Sequence, residues 1–96
     1  MLRILRDDVT SGWIVLTLQG HLVTEWADVL ERECLELRRS GRRVTLDLSA
    51  LGFIGRHGVT VLGRLQQTGV EIVGGSPLVV DMLEQEGIEV KKEIDP

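Results

Sequence analysis

The sequence predicts a single α/β domain on a mixed β-sheet, in the order β-β-α-β-α-β-α-β. Three observations carry this. Two runs of branched and large apolar residues open the chain and are joined by a glycine-containing turn, as in an antiparallel hairpin. Three later apolar runs, Val44–Leu48, Val70–Val73 and Ile88–Val90, alternate with segments of helical periodicity, and crossovers through helices make neighbouring strands parallel. The 96 residues suit one domain with a modest core, and no repeat, low-complexity tract or linker interrupts them.

Leu2 to Val9 alternates weakly and reads as the first strand. Thr10-Ser11-Gly12 is a turn, and Trp13 to Leu18 is the second strand, ended by Gln19-Gly20. Thr24 is expected to cap a helix, with Glu25 and Asp28 following; Ala27, Leu30, Cys34 and Leu37 form its apolar stripe, and Ser40-Gly41 stops it. Val44 to Leu48 reads as an interior strand that Phe53-Ile54 extend or close. From His57, the spacing of Val59, Val61, Leu62 and Leu65 predicts a second helix, closed by Gly69. Val70 to Val73 is a strand. Ser76-Pro77 starts a third helix, with serine as cap and proline at the first helical position, and Gly87 ends it. Ile88-Glu89-Val90 is expected to be a short last strand, and residues 91–96 to fray.

Composition narrows the function. Hydrophobic residues make 43% of the chain and charged residues 27%, the balance of a water-soluble fold; aromatics are only 3%, so the core must be aliphatic. A net charge of −4 argues against nucleic acid as a partner, because phosphate neutralisation needs surplus Lys and Arg. The start MLRILRDDV lacks the apolar core of a secretion signal, and no apolar run reaches the roughly 20 residues of a membrane span, so no membrane insertion and a cytoplasmic location are expected.

No arrangement points to an enzyme, a metal or another cofactor. With His21, His57 and Cys34 as the scarce ligand types, a zinc site lacks its set, and neither a nucleophile elbow nor a phosphate-cradling loop is present. Cys34 lies on an apolar stripe and reads as a buried thiol. Gly74-Gly75-Ser76-Pro77 could face an anion but reads more simply as a tight strand-to-helix turn. Arg38, Arg39, Arg42 and Arg43 form either a basic patch or helix-end compensation. Trp13 and Trp26 read as core or core-edge residues; an exposed Trp26 would suit a contact role. Gly55-Arg56-His57-Gly58 is the most informative segment. It sets two potential cations at a helix start, where the free N–H groups favour an anion or a capping oxygen.

Over about Val15 to Gly87 the sequence resembles a STAS domain, the family of bacterial anti-sigma factor antagonists. The resemblance rests on Val15 to Gly20, on Val44-Thr45-Leu46-Asp47-Leu48-Ser49-Ala50-Leu51-Gly52-Phe53-Ile54 leading into Gly58, and on Val70 to Val73 before a proline-started helix. It implies a mixed sheet with helices packed largely on one face, and a non-enzymatic regulator that binds an anti-sigma factor. In such domains the loop after the Phe-Ile pair usually reads Asp-Ser-Ser/Thr-Gly, and its first serine is phosphorylated by the kinase-like partner. Here Gly55, Arg56 and His57 replace the first three residues and only Gly58 matches. Arg56 cannot be esterified by a Ser/Thr kinase, and its charge is opposite to that of phosphoserine. No phosphorylation site is therefore expected in the loop; Thr60 and Ser49 are nearby hydroxyls outside the motif position.

The resemblance implies a protein-binding surface formed by Gly55, Arg56, His57, Gly58 and Val59 with His21, Leu22 and Val23. Two partners are expected in the alternative: an anti-sigma factor or related kinase-like protein, or the ATPase of an ABC-type lipid transporter or a signalling scaffold, on which the domain would be a structural subunit. Nucleotide binding near Arg56 is a third reading. A homodimer through an exposed first strand is also expected.

Overall fold

The computed structural model describes residues 1–94. In chain order the elements are β1 (Leu2–Thr10), β2 (Trp13–Leu22), α1 (Thr24–Arg39), β3 (Arg43–Asp47), β4 (Leu51–Ile54), α2 (Arg56–Gln67), β5 (Glu71–Val73) and α3 (Pro77–Gln85). One five-stranded mixed sheet runs β1-β2-β3-β5, and β4 lies against β2 beyond the end of β3. Only the β1–β2 hairpin is antiparallel; the helical crossovers make the other pairs parallel.

Alternation along β2 turns Ile14, Leu16 and Leu18 inward, where they join Val44, Leu46 and Ile72. Ala27, Leu30, Cys34 and Leu37 of α1 close over this layer, as do Val59, Val61, Leu62 and Leu65 of α2 and Val79 and Leu83 of α3. All three helices therefore pack on one face of the sheet. Cys34 is fully buried on the stripe expected for it, and burial pushes its thiol pKa up to about 12, which leaves it protonated and unreactive.

The opposite face carries a polar lattice. Trp13 Nε1 donates to Thr45 Oγ1 at 2.9 Å, and the Thr45 hydroxyl donates to Glu71 Oε1 at 3.3 Å. Arg43 lies 4.1 Å above the Trp13 ring and donates through two guanidinium nitrogens to Glu71, one bond being 3.0 Å; Lys91 Nζ adds a bond at 3.3 Å. Arg38 satisfies Thr68 O at the end of α2 and Arg42 O. Two of the four clustered arginines are thus spent on structural contacts.

Four local expectations are corrected. The run from Val44 to Ile54 is two strands, because the Asp47 carboxylate accepts from Ser49 N at 2.9 Å and Leu51 N donates to Leu48 O at 3.0 Å, turning the chain between them. Ile88–Val90 is no strand, because the Gln66 amide takes both backbone groups of Glu89, donating to its O at 2.7 Å and accepting from its N at 3.1 Å. Lys91, placed in the frayed tail by sequence, is instead bridged parallel to Val73, with bonds of 2.9 Å to Ile72 O and from Gly74 N. The rest of that tail beyond residue 94 lies outside the described residues. Finally, Thr24 does not cap α1: Val23 holds the cap position without a side-chain bond, and Thr24 itself has φ +44°.

Glu71 anchors the outer lattice, and its pH dependence follows. The Arg43 hydrogen bonds, helped by Lys91 and opposed by partial burial, lower its pKa from 4.5 to about 2. A depressed carboxylate pKa contributes stability that is present above pH 4.5 and is lost as pH falls toward 2. Glu71→Gln is expected to cost roughly 1–3 kcal/mol at pH 7, discounted for the partly exposed partners. Chemical denaturation across pH should show the gap between wild type and variant closing between pH 4.5 and about 2.

Candidate functional site

The sheet's parallel strands deliver their C-terminal ends to one edge, where α1 and α2 begin. At this edge His21 pairs with Phe53 and Leu22 with Ile54. Leu22 and Ile54 point into the core, while His21 and Phe53 point out and meet edge to face, with ring centroids 6.1 Å apart and planes at 81°. Phe53 remains 53% exposed, a large apolar surface beside the loop.

The turn from β4 into α2 is tied down by backbone. Gly55 N donates to Leu22 O at 3.0 Å, and Gly55 O accepts from Val59 N at 3.0 Å, opening the helix. Gly55 is the N-cap and carries no capping side chain; a Cβ there would lie 3.2 Å from Val23 Cγ1. Val23 therefore packs over Gly55. Gly58 is more constrained still. A Cβ on it would stand 2.4 Å from Leu22 O and 3.0 Å from Ile54 Cγ1. Glycine lets the first turn of α2 rest directly on the end of β2, and no larger residue can occupy that place without moving the helix.

The two basic residues at the helix start meet different fates. His57 Nε2 is 2.7 Å from Asp28 Oδ1, so α1 supplies the anion that the helix start lacks in its own first turn. One turn and more further along, Arg64 grips Glu31 with bonds of 2.8 and 2.9 Å, and this hydrogen bonding holds the Glu31 carboxyl below its usual range. The starts of α1 and α2 are thus laced together. Arg56, by contrast, is exposed, and its side chain has no hydrogen bond or ion pair with the described residues. Its carbonyl accepts from Thr60 Oγ1 at 3.2 Å, which occupies the nearest hydroxyl on the helix.

Among the eight residues expected to form the binding surface, the structure sorts floor from face. Leu22, Gly58 and Val59 are buried and support the site. Arg56, His57 and His21 are exposed; Gly55 and Val23 are half-buried. Sequence reasoning missed Phe53 as a surface residue because it was read with Ile54 as one strand end. The register shift between Gly20 and His21 breaks simple alternation there. Trp26, in the first turns of α1, is exposed, the condition under which a contact role was expected. Thr24 adds a strained backbone, since a β-branched residue at positive φ is costly, and it sits where β2 hands over to α1. A groove of about 510 Å³ opens between α2 and α3 with Val59, Gly63, Met82 and Ile88 as floor and Arg56 and Thr60 on its rim.

A family model for the STAS domain matches residues 5–95. Among solved structures, an anti-sigma factor antagonist from Mycobacterium paratuberculosis superposes with a TM-score of 0.78 at 20% identity, covering 99% of this chain and 89% of that one. The anti-sigma factor antagonist SpoIIAA in its unphosphorylated form gives 0.76 at 18% identity, covering 95% and 90%. The phosphorylated form of SpoIIAA, a Bacillus cell fate determinant, gives 0.71 at 17% identity, covering 95% and 93%. At these identities the structures show a shared fold. No curated protein matches the sequence.

The geometry at Gly58 makes a counter-intuitive prediction. Glycine to alanine inside a helix ordinarily stabilises by about 0.5–1 kcal/mol. Gly58→Ala should instead destabilise by roughly 1–3 kcal/mol, because the added methyl overpacks a site walled by backbone. Thermal melts of wild type and variant would show Tm falling, whereas a rise would mean that α2 sits farther from β2.

Proposed function

The chain belongs to the STAS domain family, and from that premise we propose that it is a non-enzymatic regulatory module that docks a protein partner without a phosphorylation switch in its α2 loop. The observation that carries the reading is the state of Arg56. It stands at the family's phosphorylatable position, exposed and unpaired among the described residues, on a helix start fixed by Gly58.

Electrostatics support an acidic partner surface. The starts of α1 and α2 each present the positive end of a helix dipole, and Arg56 adds a full charge. Asp28 holds the His57 ring through a 2.7 Å contact, so the guanidinium left for docking is Arg56. Phe53, exposed beside it on β4, and Trp26 supply apolar and aromatic surface of the kind that anchors protein interfaces. In this reading the buried residues Leu22, Gly58 and Val59 hold the surface rigid, and His21 supports Phe53 through their ring contact. An anti-sigma factor or a related kinase-like protein is the favoured partner. Since no hydroxyl stands at the motif position, a kinase partner would find nothing there to esterify, and release would depend on other controls.

The test is quantitative binding of the partner recovered by affinity purification. The Arg56→Asp, His57→Ser double variant should lose about tenfold or more in affinity while remaining folded by circular dichroism, because the exposed His57–Asp28 pair contributes only about 0–1 kcal/mol to stability. Unchanged affinity removes the loop from the docking surface. Recovery of a transport ATPase in place of a kinase-like protein would make the chain a structural subunit.

A further inference from the structure

We propose that this chain self-associates through the free edge of β1, in a two-fold antiparallel pairing centred on Leu5 that merges two sheets into one. This goes beyond the docking reading and does not depend on it. β1 ends the sheet, and no described strand pairs with its far side. Its pairing with β2 is regular from Leu2 to Asp8, before a bulge between Asp8 and Thr10. Leu5 is the midpoint of that regular run.

The side chains argue for one register. Leu5 lies opposite Thr17, Asp7 opposite Val15 and Arg3 opposite Gln19, so odd-numbered residues share the outer, helix-free face. Along that face the row reads Met1, Arg3, Leu5, Asp7, apolar, positive, apolar, negative, and Val9 follows in the bulge. Met1 is 80% exposed, Leu5 38% and Val9 44%. Reversed, the row from Arg3 to Asp7 is its own complement. A two-fold axis at Leu5 sets Leu5 against Leu5 of the second copy and Arg3 against its Asp7.

Shifting the register by two residues in either direction breaks this. One shift puts Arg3 against Leu5 and Met1 against Asp7. The other puts Leu5 against Asp7 and two Arg6 side chains together. On the inner face the centred register opposes Leu2 with Asp8 and Ile4 with Arg6. The charges of Arg6 and Asp8 are already joined within each chain at 2.9 Å, which limits that mismatch.

The backbone agrees. His21 N donates to Met1 O, so the odd residues turn their backbone groups toward β2 and the even residues turn theirs to the free edge. Across the new interface Leu2–Asp8 and Ile4–Arg6 become the hydrogen-bonded pairs. The outer row then forms the non-hydrogen-bonded pairs, in which side chains approach more closely. Charges on an edge strand normally prevent such pairing, but charges of both signs placed symmetrically forbid every register except one. A pairing this short buries less than a standard interface, so the dimer should be reversible and should form at elevated concentration.

Sedimentation equilibrium of the full chain at low ionic strength is expected to show a reversible monomer–dimer equilibrium. Asp7→Arg should weaken it by about tenfold or more, and Arg3→Asp combined with Asp7→Arg should restore it to within about threefold. A wild type that stays monomeric, or a double swap as weak as the single, overturns the proposal. Register is read separately with oxidised glutathione. Because Cys34 is buried, Leu5→Cys carries the one accessible cysteine among the described residues. It should form a disulfide-linked dimer, while Asp7→Cys, facing Arg3, should not. Equal linking of both, or of neither, rules out the Leu5-centred register.

Discussion

The site depends on a contact with no room for a methyl group. Gly58 in the first turn of α2 lies against Leu22 O at the end of β2, so close that a Cβ would stand 2.4 Å away. The contact sets the height at which α2 starts. With Gly55 N bonded to the same carbonyl, it also sets the direction in which the following residues leave the sheet. Arg56 and His57 face outward as a consequence. Loops on a rigid scaffold carry function when the scaffold removes their freedom, and here one backbone carbonyl and two glycines do so.

The same constraint accounts for cations at a helix start. The unfavourable placement is answered from another element: Asp28 on α1 approaches His57, and Glu31 approaches Arg64, so two helices that follow different strands share charges along their seam. What the seam leaves over is Arg56. A hydroxyl at that position could carry a removable negative charge; a guanidinium is permanently positive. Arg56 therefore gives the start of α2 a charge whose sign is constant.

The sheet divides its labour between faces. The inner face is aliphatic and meets all three helices. The outer face, which no helix covers, is held flat by the Trp13, Arg43, Thr45 and Glu71 lattice. That lattice lies toward β3 and β5. On β1 the outer row is exposed and alternates apolar with charged residues, which is why self-pairing is argued there and not at the β5 side, where Lys91 already bridges Val73.

The hairpin, the three helices and the inward stripes of α1 and α2 were legible in the sequence, because periodicities of 2 and 3.6 are local consequences of backbone geometry. So was the burial of Cys34, on the stripe of α1. Other features lie beyond local pattern. The Ile88–Val90 run has strand composition, yet Gln66, 23 residues earlier than Glu89, takes its backbone bonds. Thr24 has the identity of a cap, yet the chain enters α1 through Val23. Phe53 reads only as extending or closing a strand, yet a register shift leaves it facing solvent on β4. Sequence alone determined the β1–β2 hairpin, the three helices and the residues that stand at the start of α2, since these are properties of neighbours along the chain. Only the tertiary structure decided which charge finds a partner and which stays free, because Asp28 and His57 become neighbours only when two crossovers lay α1 beside α2.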